Sequence, residues 1–110
     1  MAHPDPYQAM WIVALFDLPT DTKESRRAYT QFRKKLLQQG FSMLQYSVYA
    51  RYCPTDKRAE VFRKRISQFL PDDGEVRVIS ITDIQFGKMH VFHGKRRKAP
   101  EKAPQQYEIF

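Results

Sequence analysis

The chain has 110 residues, is 42% hydrophobic and 14% aromatic, and carries a formal net charge of +7. That length supports one hydrophobic core, and the composition is that of a folded globular chain, which argues against a disordered polymer or several domains. No apolar run approaches the ~20 residues that cross a bilayer, and no short hydrophobic stretch follows a basic start, so a cytoplasmic protein without membrane association is expected.

Residues 10–16, an apolar run of strand length, predict a buried β-strand that ends at Asp17. Thr20 or Asp21 can cap the helix that follows, with Glu24 three places after Asp21 as in a capping box. Ala28, Tyr29, Phe32 and Leu36 recur at helical spacing and predict its core face, and Gly40 suits a left-handed stop. The stretch "FSMLQYSVYARYC", residues 41–53, predicts two short strands or one kinked strand. Pro54-Thr55-Asp56 opens a second helix whose stripe is Ala59, Phe62, Ile66 and Phe69, with Pro71 as its stop. A turn at "DDG" then leads into a strand from Glu75 to Ile81. The order β-α-β-β-α-β predicts an α+β, ferredoxin-like fold with two helices on one face of an antiparallel sheet.

Beyond this unit, "TDIQFGKMHVFHG" reads as a turn followed by an extra C-terminal strand over Lys88 to Phe92. Residues 1–94 then make one domain, with 1–9 as an N-terminal extension. Residues 95–110 make a basic, proline-bearing linker and a strand-like tail, "YEIF", suited to docking on a sheet edge.

Placement makes the positive charge informative. Lys23, Arg26, Arg27, Arg33, Lys34 and Lys35 fall on the first helix. Lys57, Arg58, Arg63, Lys64 and Arg65 fall on the second, and Lys95, Arg96, Arg97, Lys98 and Lys102 fill the tail. Such runs can follow a phosphate backbone, and Arg26, Arg27, Arg33 and Lys34 are the expected nucleic-acid contacts. Zinc is excluded, because one Cys and three His form no ligand set. Cys53 reads as a small core residue, and no glycine-rich phosphate loop is present.

Asp17 supports two readings. A carboxylate where a strand opens onto a crevice can bind Mg²⁺, which takes one or two protein carboxylates and keeps water or phosphate oxygens. One such residue is few for a metal site, but a two-fold axis would supply a second copy. Alternatively, Asp17 only begins the turn before Pro19.

"LFDLPTDT", followed by "SRRAYTQFRKKLLQQGFSMLQYSVYARY", resembles the small CRISPR-associated endoribonuclease family that partners the integrase in spacer acquisition. The shared features are an apolar strand ending in Asp-hydrophobic-Pro, an arginine-bearing helix, a Gly, and a Gln-aromatic-Ser-Val-aromatic strand at Gln45 to Tyr49. "ITDIQFGKMHVFHG" is similar to the type II branch of that family, and the resemblance spans residues 10–94.

The resemblance implies a ferredoxin-like homodimer whose C-terminal strands exchange between protomers. It also implies a magnesium-dependent nuclease site, catalytic and metal-binding, at Asp17, and a role in CRISPR adaptation bridging integrase subunits on duplex DNA. The basic linker before "YEIF" departs from the family pattern and leaves strand exchange open. Three functions are carried forward: a structural adaptor of spacer acquisition, a metal-dependent endonuclease on RNA or DNA, and a stand-alone RNA-binding or toxin-like ribonuclease.

Overall fold

The computed structural model describes residues 8–96. Its elements are β1 (Met10–Asp17), α1 (Lys23–Gln38), β2 (Ser42–Gln45), β3 (Val48–Cys53), α2 (Asp56–Ser67), β4 (Glu75–Thr82) and α3 (Asp83–Gly87). The strands form one antiparallel sheet in the order β2-β3-β1-β4. The expected β-α-β-β-α-β order is present, with β1 central and both long helices against one face.

Alternation along β1 explains that face. Met10, Ile12, Ala14 and Phe16 point to the helices and join Tyr29, Phe32 and Leu36 of α1 with Ala59, Phe62 and Ile66 of α2 in one buried cluster. Phe16 lies at its centre, with ring centroids 5.1 Å from Phe32 and 5.6 Å from both Tyr29 and Tyr49. Aromatic pairs at such separations add stabilisation beyond the area they bury. Cys53 is fully buried in the same cluster, as expected of a core residue.

The helix starts follow capping chemistry, with one correction. Thr22, not Thr20 or Asp21, caps α1. Its Oγ1 accepts from the Ser25 backbone N–H at 3.0 Å, and Ser25 Oγ accepts from the Thr22 N–H, so Ser25 closes the box in place of Glu24. Thr55 caps α2. Gly40 ends α1 at φ +83°, as its position predicts. Helix α2 ends at Ser67, four residues before Pro71, so Phe69 packs from the loop beyond it.

A second correction lies after β4. Residues 83–87 form a short helix, because Thr82 and Gln85 make a further capping box. Phe86 then stacks on Trp11 with ring centroids 4.0 Å apart, and Trp11 Nε1 donates to Asp83 Oδ1 at 2.7 Å. The extra strand expected at Lys88–Phe92 does not form. Val91 and Phe92 are 68% and 88% exposed, so the segment buries no face that would hold it as a strand within one chain. Residues 97–110, which hold most of the linker and the "YEIF" tail with its expected exchange, and residues 1–7 of the N-terminal extension lie outside the described residues.

Candidate functional site

Asp17 is the last residue of β1 and is exposed. Since Phe16 turns toward the helices, the period of two puts Asp17 on the opposite sheet face, with Trp11, Val13 and Leu15. A carboxylate at the strand end is therefore present, but α1 and its arginines lie across the sheet from it. The register also sets Glu75 of β4 directly opposite Asp17. Like charges in directly opposed positions destabilise a sheet, so two acids are held together here at some cost. Glu75 offsets part of it by accepting from Arg77 Nη1 at 2.8 Å.

Three residues that reading the sequence alone missed hold this corner. Gly74, at φ +93°, lets the entry to β4 pass close under β1: a Cβ there would sit 2.6 Å from the Asp17 carbonyl oxygen and 3.0 Å from Leu18 Cα. Ser47 in the β2–β3 turn adopts φ +61°, uncommon outside glycine and a mark of a position fixed by its surroundings. Its carbonyl accepts from the Phe16 N–H at 3.0 Å, and its hydroxyl lies 2.8 Å from the Tyr29 hydroxyl. The turn thus ties the end of β1 to α1. Burial pushes the Tyr29 phenol well above its ordinary range, against the lowering effect of the Ser47 bond. The third is Glu75, visible only once strand register is known.

The oxygen donors at this corner suit a hard divalent cation in kind. They do not complete a site in one chain: among the described residues no group of three or more His, Cys, Asp or Glu could hold a metal ion. A site here needs water, phosphate oxygens or a second protomer. Behind the Asp17 loop a cleft of about 170 Å³ runs between Leu18, Pro19 and Tyr29 on one side and Asp72 and Asp73 on the other. Its acidic lip is unsuited to phosphate. Cys53 has no place in the chemistry, because burial raises its thiol pKa despite nearby Arg51, Arg58 and Arg63. His90 and His93 are exposed.

The expected nucleic-acid residues separate into groups. Arg27 and Lys34 are exposed and share a helix face with Lys23, at i, i+4 and i+11. Arg26 is exposed too, but its Nη1 donates to the Thr20 carbonyl at 3.2 Å, bracing the loop that follows Asp17. Arg33 is a correction: it is only 4% exposed and faces inward with Tyr29, Phe32 and Leu36, so it cannot lie along a backbone outside the fold. Among the described residues no helix is long and apolar enough to cross a membrane.

The sheet face bearing Asp17 is lightly covered. Tyr52 and Ile79 are exposed on it, and α3 shields mainly the Trp11 end.

Comparison with known proteins agrees with this architecture. A protein of Parvibaculum lavamentivorans named CRISPR-associated endoribonuclease Cas2 is 50% identical over 92% of this chain and all of its own length. A Flavobacterium psychrophilum protein of the same name is 48% identical over 94% of this chain and 90% of its own. A solved structure described as "Crystal structure of cas2" shares the fold, with a TM-score of 0.56 at 15% identity, covering 86% of this chain and 95% of that one. The sequence profile of the family described as CRISPR associated protein Cas2 matches residues 10–89, and the chain belongs to that family.

Proposed function

We propose that the protein acts in CRISPR adaptation in the cytoplasm, as a homodimeric, nucleic-acid-binding partner of the spacer integrase, with a Mg²⁺-dependent endonuclease centre at Asp17. The observation that carries this reading is the position of Asp17. It is exposed at the end of the central strand, on the sheet face the long helices leave bare. A second copy packed on that face across a two-fold axis would bring two Asp17 carboxylates together, because an isologous interface duplicates every residue. The exposed Tyr52 and Ile79 supply apolar surface for such a contact.

Asp17 would hold the ion, with Glu75 beside it as a further oxygen donor. When bound, Mg²⁺ supplies charge to polarise a phosphate and lowers the pKa of a bound water. The chain's own residues do the rest: Arg26 braces the loop, the Tyr29–Ser47 pair fixes the strand end, and Arg27 and Lys34 offer positive charge to a backbone on the helical side. Duplex DNA is the substrate class favoured for the bridging role, and RNA or DNA for cleavage. The relatives' names give the endoribonuclease reading its support, and family membership leaves the stand-alone toxin-like alternative without any. The division into a domain ending at residue 94 and a basic tail belongs to the same proposal.

Co-purification with the integrase encoded beside the same repeat array tests the reading, together with light scattering of the isolated chain. The expected results are a stable complex and a dimer at micromolar concentration. A monomer that never co-purifies would overturn it.

A further inference from the structure

The structure holds a second concentration of positive charge, on the helical side of the sheet and off the α1 stripe. Arg51 of β3 and Arg58 and Arg65 of α2 surround one ring, with guanidinium carbons 4.1, 5.7 and 5.0 Å from the Phe62 centroid. On α2, Lys64 pairs with Glu60 at 3.4 Å and Arg63 donates to Ser80 Oγ at 2.7 Å. Among the described residues none of these three arginines has a carboxylate partner. Arg65 donates only to the neutral Gln39 Oε1, at 3.0 Å, and the buried Arg51 Nε has no hydrogen-bond acceptor.

Like charges gathered at this range repel unless an anion lies among them. The C-terminal end of α1 adjoins the cluster and offers roughly half a negative charge, too little to balance three guanidinium groups. The cluster is nonetheless built. Gly40 carries no side chain where a Cβ would collide with the Arg51 guanidinium, and Phe62 is a fixed platform in the core. A guanidinium held by stacking loses little freedom when it forms its forked bonds to an oxyanion. Arg58 and Arg65 are exposed, so the site is open to a partner.

We propose that Arg51, Arg58 and Arg65, arrayed about Phe62, bind a backbone phosphate of the nucleic acid, extending the contact surface from α1 to the edge formed by α2 and β3. This rests on the nucleic-acid reading above. Exposed Arg27 and Lys34 on the same side of the sheet give a continuous polyanion more to bind than this cluster alone, which favours a phosphate backbone over an acidic peptide.

The test is duplex binding by fluorescence anisotropy across a salt series, with the full chain as wild type and as Arg58→Gln/Arg65→Gln, both exposed positions where glutamine keeps a hydrogen-bonding end. Loss of that phosphate contact should flatten the log–log salt slope by about 0.9 and weaken binding about 10-fold near 0.1 M salt. Pyrophosphate should also shift the Arg51 Nε–Hε resonance of the wild type by NMR. A double variant with unchanged slope and affinity overturns the arginine site alone. Wild type that binds no duplex overturns the nucleic-acid reading and this assignment with it. Pyrophosphate leaving the Arg51 resonance unmoved, or a polyglutamate peptide binding the site while duplex affinity ignores the double variant, overturns the phosphate assignment.

Discussion

Replacing Gly74 by alanine should destabilise the protein more than the same change at Gly40, although both residues sit at positive φ, +93° and +83°. A non-glycine residue in the left-handed region costs about 1–2 kcal/mol at either position. The surroundings then differ. At Gly40 the new Cβ meets only the end of the Arg51 side chain and no backbone atom, so a side-chain shift alone relieves it. At Gly74 it meets the Asp17 carbonyl oxygen at 2.6 Å, Leu18 Cδ2 at 2.7 Å and Leu18 Cα at 3.0 Å. Two of those are backbone atoms of the β1 exit, so relief requires the strand end to shift. We expect about 3 kcal/mol for Gly74→Ala, near the upper end of ordinary single substitutions, against about 1–2 kcal/mol for Gly40→Ala. For a domain of this size each kcal/mol is about 4–8 °C, so the melting temperatures should fall by about 12–24 °C and 4–16 °C. Thermal unfolding followed by far-UV circular dichroism measures both. A Gly74→Ala protein within about 0.5 kcal/mol of wild type would refute the claim that this crossing fixes Asp17.

The Tyr29 phenol is raised by burial, so its protonated form is the one the fold favours. Its contribution to stability is complete below its ordinary value of 10.0 and declines as pH rises through and beyond it, and Tyr29→Phe should remove most of that alkaline decline in urea melts at pH 9 to 12. Cys53, buried with a raised thiol pKa, should resist iodoacetamide in the folded protein and react readily in denaturant; rapid labelling of the native form would contradict its place in the core. Charge reversal at Arg26 and Arg27 should weaken duplexes of unrelated sequence about equally, since phosphate contacts carry no base information, and sequence-selective loss in a binding panel would contradict it.

Local chemistry made much of this fold legible in the sequence. The apolar run ending at Asp17, the left-handed glycine after α1 and the Thr55 cap each act within a few residues, and each appears where the sequence places it. The errors came from leaving a period or a partner out of account. Arg33 was counted with its charged neighbours, yet it lies four residues after Tyr29 and three before Leu36, on the inner face. Alternation after Phe16 likewise turns Asp17 to the side of the sheet away from the arginines of α1. The Thr82–Gln85 box was readable as a helix start, but the apolar residues after it suggested a strand instead. Glu75 opposite Asp17, the hydroxyl pair of Tyr29 and Ser47, and the arginines about Phe62 depend on register and helix docking. Asp17 and Glu75 are 58 positions apart, Tyr29 and Ser47 are 18 apart and Arg51 and Phe62 are 11 apart, and no spacing rule in one sequence brings those pairs together; only Arg58 and Arg65 flank Phe62 at helical spacing.

The central claim is that the Asp17 carboxylate holds the metal on which cleavage depends. Asp17→Asn tests it most directly, because the substitution removes the charge and nearly preserves the shape. Cleavage of RNA and of duplex DNA should be measured against Mg²⁺ concentration for wild type and variant, with duplex affinity determined in the same buffer. The account predicts that cleavage falls by orders of magnitude while duplex binding is kept or slightly tightened. An Asp17→Asn protein that retains full magnesium-dependent cleavage would contradict it, and would leave Asp17 as the residue that begins a turn before Pro19.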